Sequence, residues 1–257
     1  MKVLINGISG HMGKEVARLC EEGYRGATLV GGVDIAGCEY TDCPIYSTVD
    51  ELPKDLEIDV IVDFSHHSCA PALLAYAVQN NIPTVVATTG HTEEETQAIE
   101  SAGEHIPVFF SANMSLGVAL LVELAKAATL AMPTADIEII EKHHNRKLDA
   151  PSGTALMISK AICEVREECY PNPGRSGKQK REKNEIGIHA IRMGNIVGEH
   201  EVIISTASET ITIKHKAHSR ALFAEGGLAA AQFIVDMPSG LYDMKSLVGG
   251  KEPLKSK

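Results

Sequence analysis

Two adjacent histidines, His143 and His144, stand near the start of a short basic and polar stretch, EKHHNRKLDAPSGTA, at residues 141–155. A histidine side chain can donate or accept a proton near neutral pH. Lys147, four residues beyond His143, can donate a proton or stabilise developing negative charge. Since neighbouring residues of an extended chain point to opposite sides, we expect the two histidines to have different roles. The stretch therefore has the residue types of a proton-transfer site for an anion.

The same stretch contains a potential anion-binding helix start. Ser152, Gly153 and Thr154 lead directly into an apolar, helix-like segment. The first N–H groups of a helix have no partner within the helix, and they favour negative charge. Gly153 and Thr154 are therefore candidates for binding a carboxylate. The alternative is a solvated loop in which Lys147 pairs with a nearby acid such as Asp149.

A glycine-rich turn, GISGHMG at residues 7–13, follows the first strand-like run and opens the first helix-like run. The spacing is a variant of the dinucleotide-binding fingerprint. In that fingerprint Gly7 permits a tight turn, Gly10 lets the backbone approach a pyrophosphate, and Gly13 lets the helix pack closely on the sheet. Helix-start amides also favour phosphate groups. The turn therefore predicts a dinucleotide site.

Asp34 ends the second strand-like run, where a carboxylate can accept hydrogen bonds from the ribose hydroxyls of an adenosine. The alternative is a turn-forming aspartate before Gly37. The charge of Asp34 would repel a 2′-phosphate, and the next residue, Ile35, offers no cation to bind one. On charge alone NADH should fit at least as well as NADPH, so we expect NADH, NADPH or both as cofactor.

Polar residues also follow three later strand-like runs. Parallel strands bring their carboxyl ends to one edge of the sheet, where open α/β folds bind ligands. Each segment could equally be a simple helix entry, but the glycine turn shares this edge and favours the cofactor interpretation. The segments are Asp63-Phe64-Ser65, Ala87-Thr88-Thr89-Gly90 and Ser111-Ala112-Asn113-Met114.

The first half of the chain alternates between continuous apolar runs and helix-like segments. Continuous runs are typical of parallel strands that are covered on both faces, so we predict a Rossmann-like, doubly wound parallel α/β sheet. Thr92 and Glu95 have the spacing of a capping box. The strand-like runs are 2–6, 28–33, 58–64, 83–88 and 106–110, and the helix-like runs are 12–22, 68–80 and 92–104.

The second half predicts a smaller α+β unit. Its three last strand-like runs indicate an antiparallel meander. The basic segment 170–187 favours a mobile solvated loop, with closure over an anionic ligand as the alternative. The predicted helices are 115–131, 152–168 and 220–236, and the predicted strands are 136–144, 186–193, 199–206 and 209–216. The domains are therefore expected to be residues 1–114 plus 220–257, and residues 115–219.

Composition excludes several classes of protein. A formal net charge of −10 over 257 residues argues against nucleic acid as a partner. No apolar run approaches the roughly 20 residues of a membrane span, and the N-terminus lacks the pattern of a signal peptide. The cysteines have no metal-ligand spacing, so we expect no metal site and reduced thiols in the cytoplasm. They are Cys20, Cys38, Cys43, Cys69, Cys163 and Cys169.

These segments together resemble the dihydrodipicolinate reductase family, also called the 4-hydroxy-tetrahydrodipicolinate reductase family. HHNRKLDAPSGTA is similar to that family's signature, His-His-x-x-Lys-x-Asp-x-Pro-Ser-Gly-Thr-Ala. The resemblance spans nearly the whole chain, because GISGHMG, DFS, ATTG, SANMSLG, GNIVGEHEV and HKAHSRALFAEG also fit in order.

The resemblance implies an enzyme of the diaminopimelate route to lysine. Its reaction would be the NAD(P)H-dependent reduction of 4-hydroxy-tetrahydrodipicolinate, a small dicarboxylate, to tetrahydrodipicolinate with loss of water. The fold would be a Rossmann domain built from both ends of the chain and a central α+β domain that binds substrate and forms a homotetramer. We weigh it against another two-domain dehydrogenase, such as one acting on an amino acid, and against a non-enzymatic nucleotide sensor.

The resemblance also implies roles for individual residues. His143 would be the proton donor and acceptor and Lys147 a proton donor, while His144, Gly153 and Thr154 would bind the substrate. The residues that would line the cofactor are Gly7, Ile8, Ser9, Gly10, His11, Met12, Asp34, Ala87, Thr88, Thr89, Ser111, Ala112, Asn113 and Met114.

Overall fold

The computed structural model describes residues 1–37, 42–250 and 253. The chain forms two compact units, Met1–Ser115 with Ala221–Lys257, and Leu116–Arg220. The domain bounds predicted from the sequence differ from these by one residue. Cys38 and most of the residues after 250 in the predicted first domain lie outside the described residues.

The secondary structure closely follows the predicted runs in the first half of the chain. The strands are β1 Lys2–Asn6, β2 Thr28–Val33, β3 Ile45–Tyr46, β4 Val60–Asp63, β5 Thr84–Val86, β6 Pro107–Phe110, β7 Asp136–His143, β8 Tyr170–Pro173, β9 Glu185–Arg192, β10 Gly198–Ser205, β11 Thr210–Ala217 and β12 Gly240–Tyr242. The helices are α1 His11–Glu21, α2 Ala70–Gln79, α3 Glu93–Gly103, α4 Leu116–Ala131, α5 Gly153–Cys163, α6 Ala221–Ile234 and α7 Met244–Gly249.

The first unit contains a seven-stranded sheet in the order β12-β6-β5-β4-β1-β2-β3. Every neighbouring pair in it is parallel. The side chains of residues 3–5 and 60–62, on the two central strands, are fully buried, as expected for strands covered on both faces. The predicted doubly wound fold is therefore confirmed. The predicted capping box is also present, since Glu95 N donates to Thr92 Oγ1 and Thr92 N to Glu95 Oε2.

Three short elements of this unit were not predicted. Strands β3 and β12 have two and three residues, too few to show a periodic pattern. Helix α7 has only six residues, but its sequence carries a local capping signal. Asp243 caps it by accepting a hydrogen bond from Ser246 N at 2.9 Å, and the Ser246 side chain completes a capping box.

The second unit contains a five-stranded mixed sheet in the order β11-β10-β7-β9-β8. The prediction of an antiparallel meander is wrong, because β9 pairs in parallel with β7, and β7 separates β9 from β10. The physical reason is the helix α5 between β7 and the next strands, since a helical crossover returns the chain parallel to the strand it left. Only the pairs of β10 with β7 and with β11 are antiparallel.

The end of helix α5 corrects two further predictions. The helix ends at Cys163, not at residue 168, and Cys163 forms a disulfide with Cys169. The expectation of reduced thiols is therefore wrong for this pair. The chain reverses after the helix through a left-handed residue, Glu168, with φ of 56°. This reversal brings the two cysteine Cα atoms to 5.3 Å, within the range of a disulfide.

The basic segment 170–187 is more ordered than a mobile solvated loop. Its first residues, Tyr170–Pro173, form β8 and pair with β9. Arg175 forms an ion pair with Glu185. Arg181 binds two acids of β7, with Asp136 Oδ1 at 2.8 Å and Glu138 Oε1 at 3.1 Å. These two arginines are therefore held against the first residues of β7 and β9, and neither is left available to close over a ligand.

Candidate active site

The glycine turn has the close packing that only glycine permits. Gly7 has φ of 81°, and a Cβ on it would lie 2.6 Å from Ser65 Cα. A Cβ on Gly13 would lie 2.1 Å from the carbonyl oxygen of Gly7. Gly10 is the N-cap of α1 and contributes no side-chain cap. The first N–H groups of α1 therefore have no cap side chain in front of them, which fits a dinucleotide phosphate.

Asp34 lies directly beside this turn. Its Oδ2 accepts a hydrogen bond from Ser9 N at 3.0 Å, and its Oδ1 accepts one from Ala36 N at 2.9 Å. The Ile35 side chain is 90% exposed. The predicted position of Asp34 at the carboxyl end of β2 thus places an anionic group next to the glycine turn, with an apolar neighbour.

The other predicted cofactor residues follow the ends of β5 and β6, and the parallel sheet places them at the same edge as the glycine turn. Thr88 Oγ1 lies 2.9 Å from His91 Nε2, and Ser111 Oγ donates to the Asn113 carbonyl oxygen at 2.9 Å. Two predicted residues, Ile8 and Met114, are buried, with 0% and 2% exposure. Neither side chain is therefore available to a ligand.

Asp63, at the end of β4, connects neighbouring strands of the first unit through hydrogen bonds. It is fully buried, and its Oδ1 accepts hydrogen bonds from Asn6 Nδ2 at 2.9 Å and from Ser65 Oγ at 2.5 Å. Burial raises the pKa of its carboxyl group. Asp63 therefore joins the carboxyl ends of β1 and β4, which positions this edge of the sheet.

His143 is the last residue of β7 and lies at the centre of a buried hydrogen-bond network in the second unit. Alternate residues of β7 face inward, so Glu141 and His143 share one face. His143 Nδ1 lies 2.6 Å from Glu141 Oε2, and the His143 side chain is nearly buried. The second ring nitrogen, Nε2, remains for a ligand.

A second buried histidine, His200 of β10, contacts both His143 and Ser152. Its ring meets that of His143 edge to face, with centroids 5.2 Å apart, and its Nε2 lies 3.1 Å from Ser152 Oγ. Burial, with a smaller contribution from His143, lowers the pKa of His200 to about 4, so the ring is neutral near pH 7. Sequence reasoning gave no role to His200; its signal was the inward position in the alternating strand GEHEV.

The turn after β7 presents cationic groups. Lys147 Nζ lies 2.8 Å from Asp149 Oδ1, so the ion pair expected for the alternative loop interpretation is present. The turn is held by main-chain hydrogen bonds from Lys147 to the carbonyl of His144 and from Asn145 to that of Gly194. The pKa of His144 is lowered by burial and by nearby cations. The turn therefore collects positive charge beside His143.

Helix α5 begins next to this turn. Ser152 is its N-cap, with Oγ accepting from Ala155 N at 3.2 Å, while Ser152 N donates to Glu141 Oε1 at 2.9 Å. Gly153 is exposed, and a Cβ on it would meet no atom within 4 Å. The main-chain N–H of Gly153 donates to the Asp149 carboxylate. Within the second unit the structure thus brings together imidazole, ammonium and helix-start amides, the groups needed to bind an anion and protonate it.

The described residues contain no group of three or more His, Cys, Asp or Glu side chains arranged to hold a metal ion. Their helices also lack the combination of length and apolar character that crossing a membrane requires.

Comparison with known proteins connects both units to one family. The family models "Dihydrodipicolinate reductase, N-terminus" and "Dihydrodipicolinate reductase, C-terminus" match residues 1–114 and 117–248. The 4-hydroxy-tetrahydrodipicolinate reductase of Caldanaerobacter subterraneus subsp. tengcongensis is 48% identical, over 96% of this chain and 98% of its own. That of Clostridium novyi is 44% identical, over 97% and 99%.

Solved structures share the fold at lower identity. The dipicolinate-bound dihydrodipicolinate reductase from Paenisporosarcina sp. TG-14 has a TM-score of 0.80 at 24% identity, covering 96% of this chain and 99% of that one. A DAP dehydrogenase from C. glutamicum, in complex with DAP, has a TM-score of 0.58 at 15% identity, covering 95% and 92%. The fold alone therefore occurs with more than one dehydrogenase reaction.

Proposed function

The chain belongs to the dihydrodipicolinate reductase family, and from that premise we propose that its first unit binds the nucleotide and its second unit binds and protonates the substrate. The chain is an oxidoreductase of the diaminopimelate and lysine pathway that reduces 4-hydroxy-tetrahydrodipicolinate. Its reductant is a pyridine nucleotide. These relatives are reductases of one named reaction, so they argue against the two alternatives, an amino-acid dehydrogenase and a nucleotide sensor.

The observation that carries the assignment of the substrate site is the contact between His143 Nδ1 and Glu141, which leaves His143 Nε2 as the nitrogen available to a ligand. We propose that the main-chain N–H groups of Gly153 and Thr154 bind one carboxylate of the substrate, which replaces the Asp149 carboxylate at Gly153. His144 would donate a hydrogen bond to the second carboxylate, and the cations of its turn would neutralise the charge. Dipicolinate, which the Paenisporosarcina enzyme binds, likewise has two carboxylates flanking a ring nitrogen.

In this proposal the chain's own residues control the movement of protons. A bound reduced nicotinamide supplies the hydride. Hydride addition makes the substrate more basic, and His143 or Lys147 donates the proton that balances it. Elimination of the 4-hydroxyl group as water breaks the C–O bond and forms a ring C=C bond. The other of these two groups supplies the proton at the leaving oxygen and takes back the proton that the neighbouring ring carbon releases, so elimination consumes no net proton. The cationic turn stabilises the negative charge that develops on the ring.

For the cofactor we propose binding by the residues at the carboxyl edge of the parallel sheet, with NADH at least as good as NADPH. The main support is the pair Asp34 and Ile35, an anion beside the glycine turn followed by a 90%-exposed apolar side chain. A 2′-phosphate would meet the Asp34 carboxylate, whereas a free ribose hydroxyl could donate to it.

The variant Asp34→Ala is expected to raise the KM for NADH about tenfold or more, because a charged hydrogen-bond acceptor is lost. The KM for NADPH should change less, since repulsion of its 2′-phosphate is also lost. Asp34→Asn is the matched control for the contact with Ser9 N, because its amide oxygen can still accept this bond. Turnover is followed by nicotinamide absorbance with each cofactor. An equal loss for both cofactors would count against the ribose contact.

We further propose a homotetramer formed through the second unit, acting in the cytoplasm. Of the eleven large apolar side chains that are exposed among the described residues, ten lie between residues 116 and 220. Exposed apolar surface of this kind favours burial against another chain. The cytoplasmic location rests on the chain's place in amino-acid biosynthesis.

A further inference from the structure

We propose that Glu141 and Arg192 are positioning residues that hold His143 with its proton on Nδ1, which makes Nε2 the atom that exchanges protons with the substrate. This inference rests on the proposed role of His143 in proton transfer.

The Glu141 carboxylate is fully buried and accepts four hydrogen bonds. Oε2 faces His143 Nδ1 at 2.6 Å and Arg192 Nη1 at 2.8 Å. Oε1 faces Arg192 Nη2 at 2.7 Å and Ser152 N at 2.9 Å. All four positions around the carboxylate are therefore filled, in a site with 0% exposure.

Glu141 must be ionised for this arrangement to exist. Burial opposes its ionisation, but the hydrogen bonds from Arg192, His143 and Ser152 outweigh burial and leave the pKa of Glu141 below its ordinary value. An ionised carboxylate can only accept hydrogen bonds. His143 Nδ1 therefore has to donate, and the neutral ring has its lone pair on Nε2.

Arg192 makes the buried charge of Glu141 tolerable. Its two terminal nitrogens bind both carboxylate oxygens, the bidentate geometry that arginine favours with carboxylates. A buried carboxylate without such a partner would be strongly unfavourable. Arg192 Nη2 also donates to the carbonyl oxygen of Asp149 at 2.5 Å, so the same guanidinium fixes the turn that carries Lys147.

The surroundings of His143 Nε2 agree with its use toward a ligand. Gly198 of the adjacent strand β10 lies close to this nitrogen, since a Cβ placed there would be 3.2 Å from Nε2. The lack of a side chain at Gly198 keeps this nitrogen uncovered. The neighbouring His200 ring bonds to Ser152 through its own Nε2 and does not compete for His143 Nε2.

The tautomer of His143 can be read from the ring nitrogen-15 chemical shifts of the histidines in the full-length protein. The His143 signals are assigned with the variant His143→Gln. In the wild-type protein, neutral His143 should show a protonated Nδ1 and an unprotonated Nε2. In Glu141→Gln the carboxamide can accept or donate, so both tautomers should be populated, and kcat should fall about tenfold or more. The Kd for NADH, which is assigned to the first unit, should stay unchanged.

The matched control is Glu138→Gln. Glu138 lies on the same strand and also contacts a histidine and an arginine, His189 at 2.9 Å and Arg181 at 3.1 Å, but it has no contact with the proposed site. This variant should keep the wild-type kcat and the wild-type His143 shifts. Arg192→Lys serves as a second variant if Glu141→Gln does not fold. Lysine keeps the positive charge but cannot bind both oxygens of Glu141 in the bidentate geometry of arginine. We therefore expect kcat to fall while His143 Nδ1 stays protonated.

The positioning role is overturned if wild-type His143 carries its proton on Nε2, or if its tautomer is the same in Glu141→Gln. Neither outcome depends on turnover, and the proposed function would survive both. Full turnover by His143→Gln, by contrast, would overturn the proposed function together with this inference. The two failures are therefore distinguishable.

Discussion

Replacing His143 by glutamine, or Lys147 by alanine, is expected to lower kcat by about 10² or more while the fold stays intact. Each variant removes a group that can donate a proton at the end of β7. Glutamine at residue 143 can still bond to Glu141, so the buried network is only partly disturbed. Loss of Lys147 leaves the exposed Asp149 carboxylate without its partner, which costs little stability at the surface.

Turnover is measured from nicotinamide absorbance, with the unstable substrate generated in the same solution. His189→Gln and Lys142→Ala are matched controls from the same sheet, since their side chains bond to Glu138 and Glu199 rather than to residues of the proposed site. Both controls should keep the wild-type kcat. Near-normal turnover in His143→Gln and in Lys147→Ala would refute the proton-transfer assignment.

Acidification should destabilise the folded protein through His200. The pKa of this buried ring is lowered from 6.5 to about 4, so between these values the unfolded chain binds a proton that the folded chain does not. Stability is therefore lost as the pH falls from 6.5 toward 4. The difference between the two pKa values corresponds to at most about 3 kcal/mol of the free energy of unfolding. Glu141, whose pKa lies below 4.5, adds its own loss at a lower pH.

The measurement is the Tm of the wild-type protein and of His200→Gln at a series of pH values. Glutamine can bond to Ser152 Oγ but does not titrate, so the variant should show a smaller fall of Tm between pH 6.5 and 4. His105→Gln, which changes an exposed histidine, should follow the wild-type curve. If His200→Gln loses as much stability with acid as the wild type, the neutral buried state of His200 is refuted.

The sequence was most informative where the chemistry is local. The close approach of Gly13 to Gly7 lies within the turn itself, and the continuous apolar runs identify strands that are covered on both faces. The capping box of α3 and the strand end at His143 are of the same kind. Each of these features depends on neighbours along the chain, so the residue pattern predicts them directly.

The features that the sequence did not predict depend on pairing between distant segments. Glu141 and Arg192 are 51 residues apart, and they meet because β7 and β9 run parallel with His143 opposite Arg192. The expected meander would have placed β9 elsewhere in the sheet. Pairings of this kind come from the packing of the whole unit. The disulfide joins cysteines with a sequence separation of only 6, but it requires α5 to end at Cys163 and the chain to reverse, and the expected helix to residue 168 predicted neither.

In the proposed function, the turn at residues 143–154 binds a dicarboxylate and protonates it. The most direct test is a crystal structure of the full chain with dipicolinate bound. We expect one carboxylate within hydrogen-bond distance of the main-chain N–H groups of Gly153 and Thr154, with the pyridine ring facing His143 Nε2. Dipicolinate bound with no residue of this turn in hydrogen-bond distance would contradict the claim.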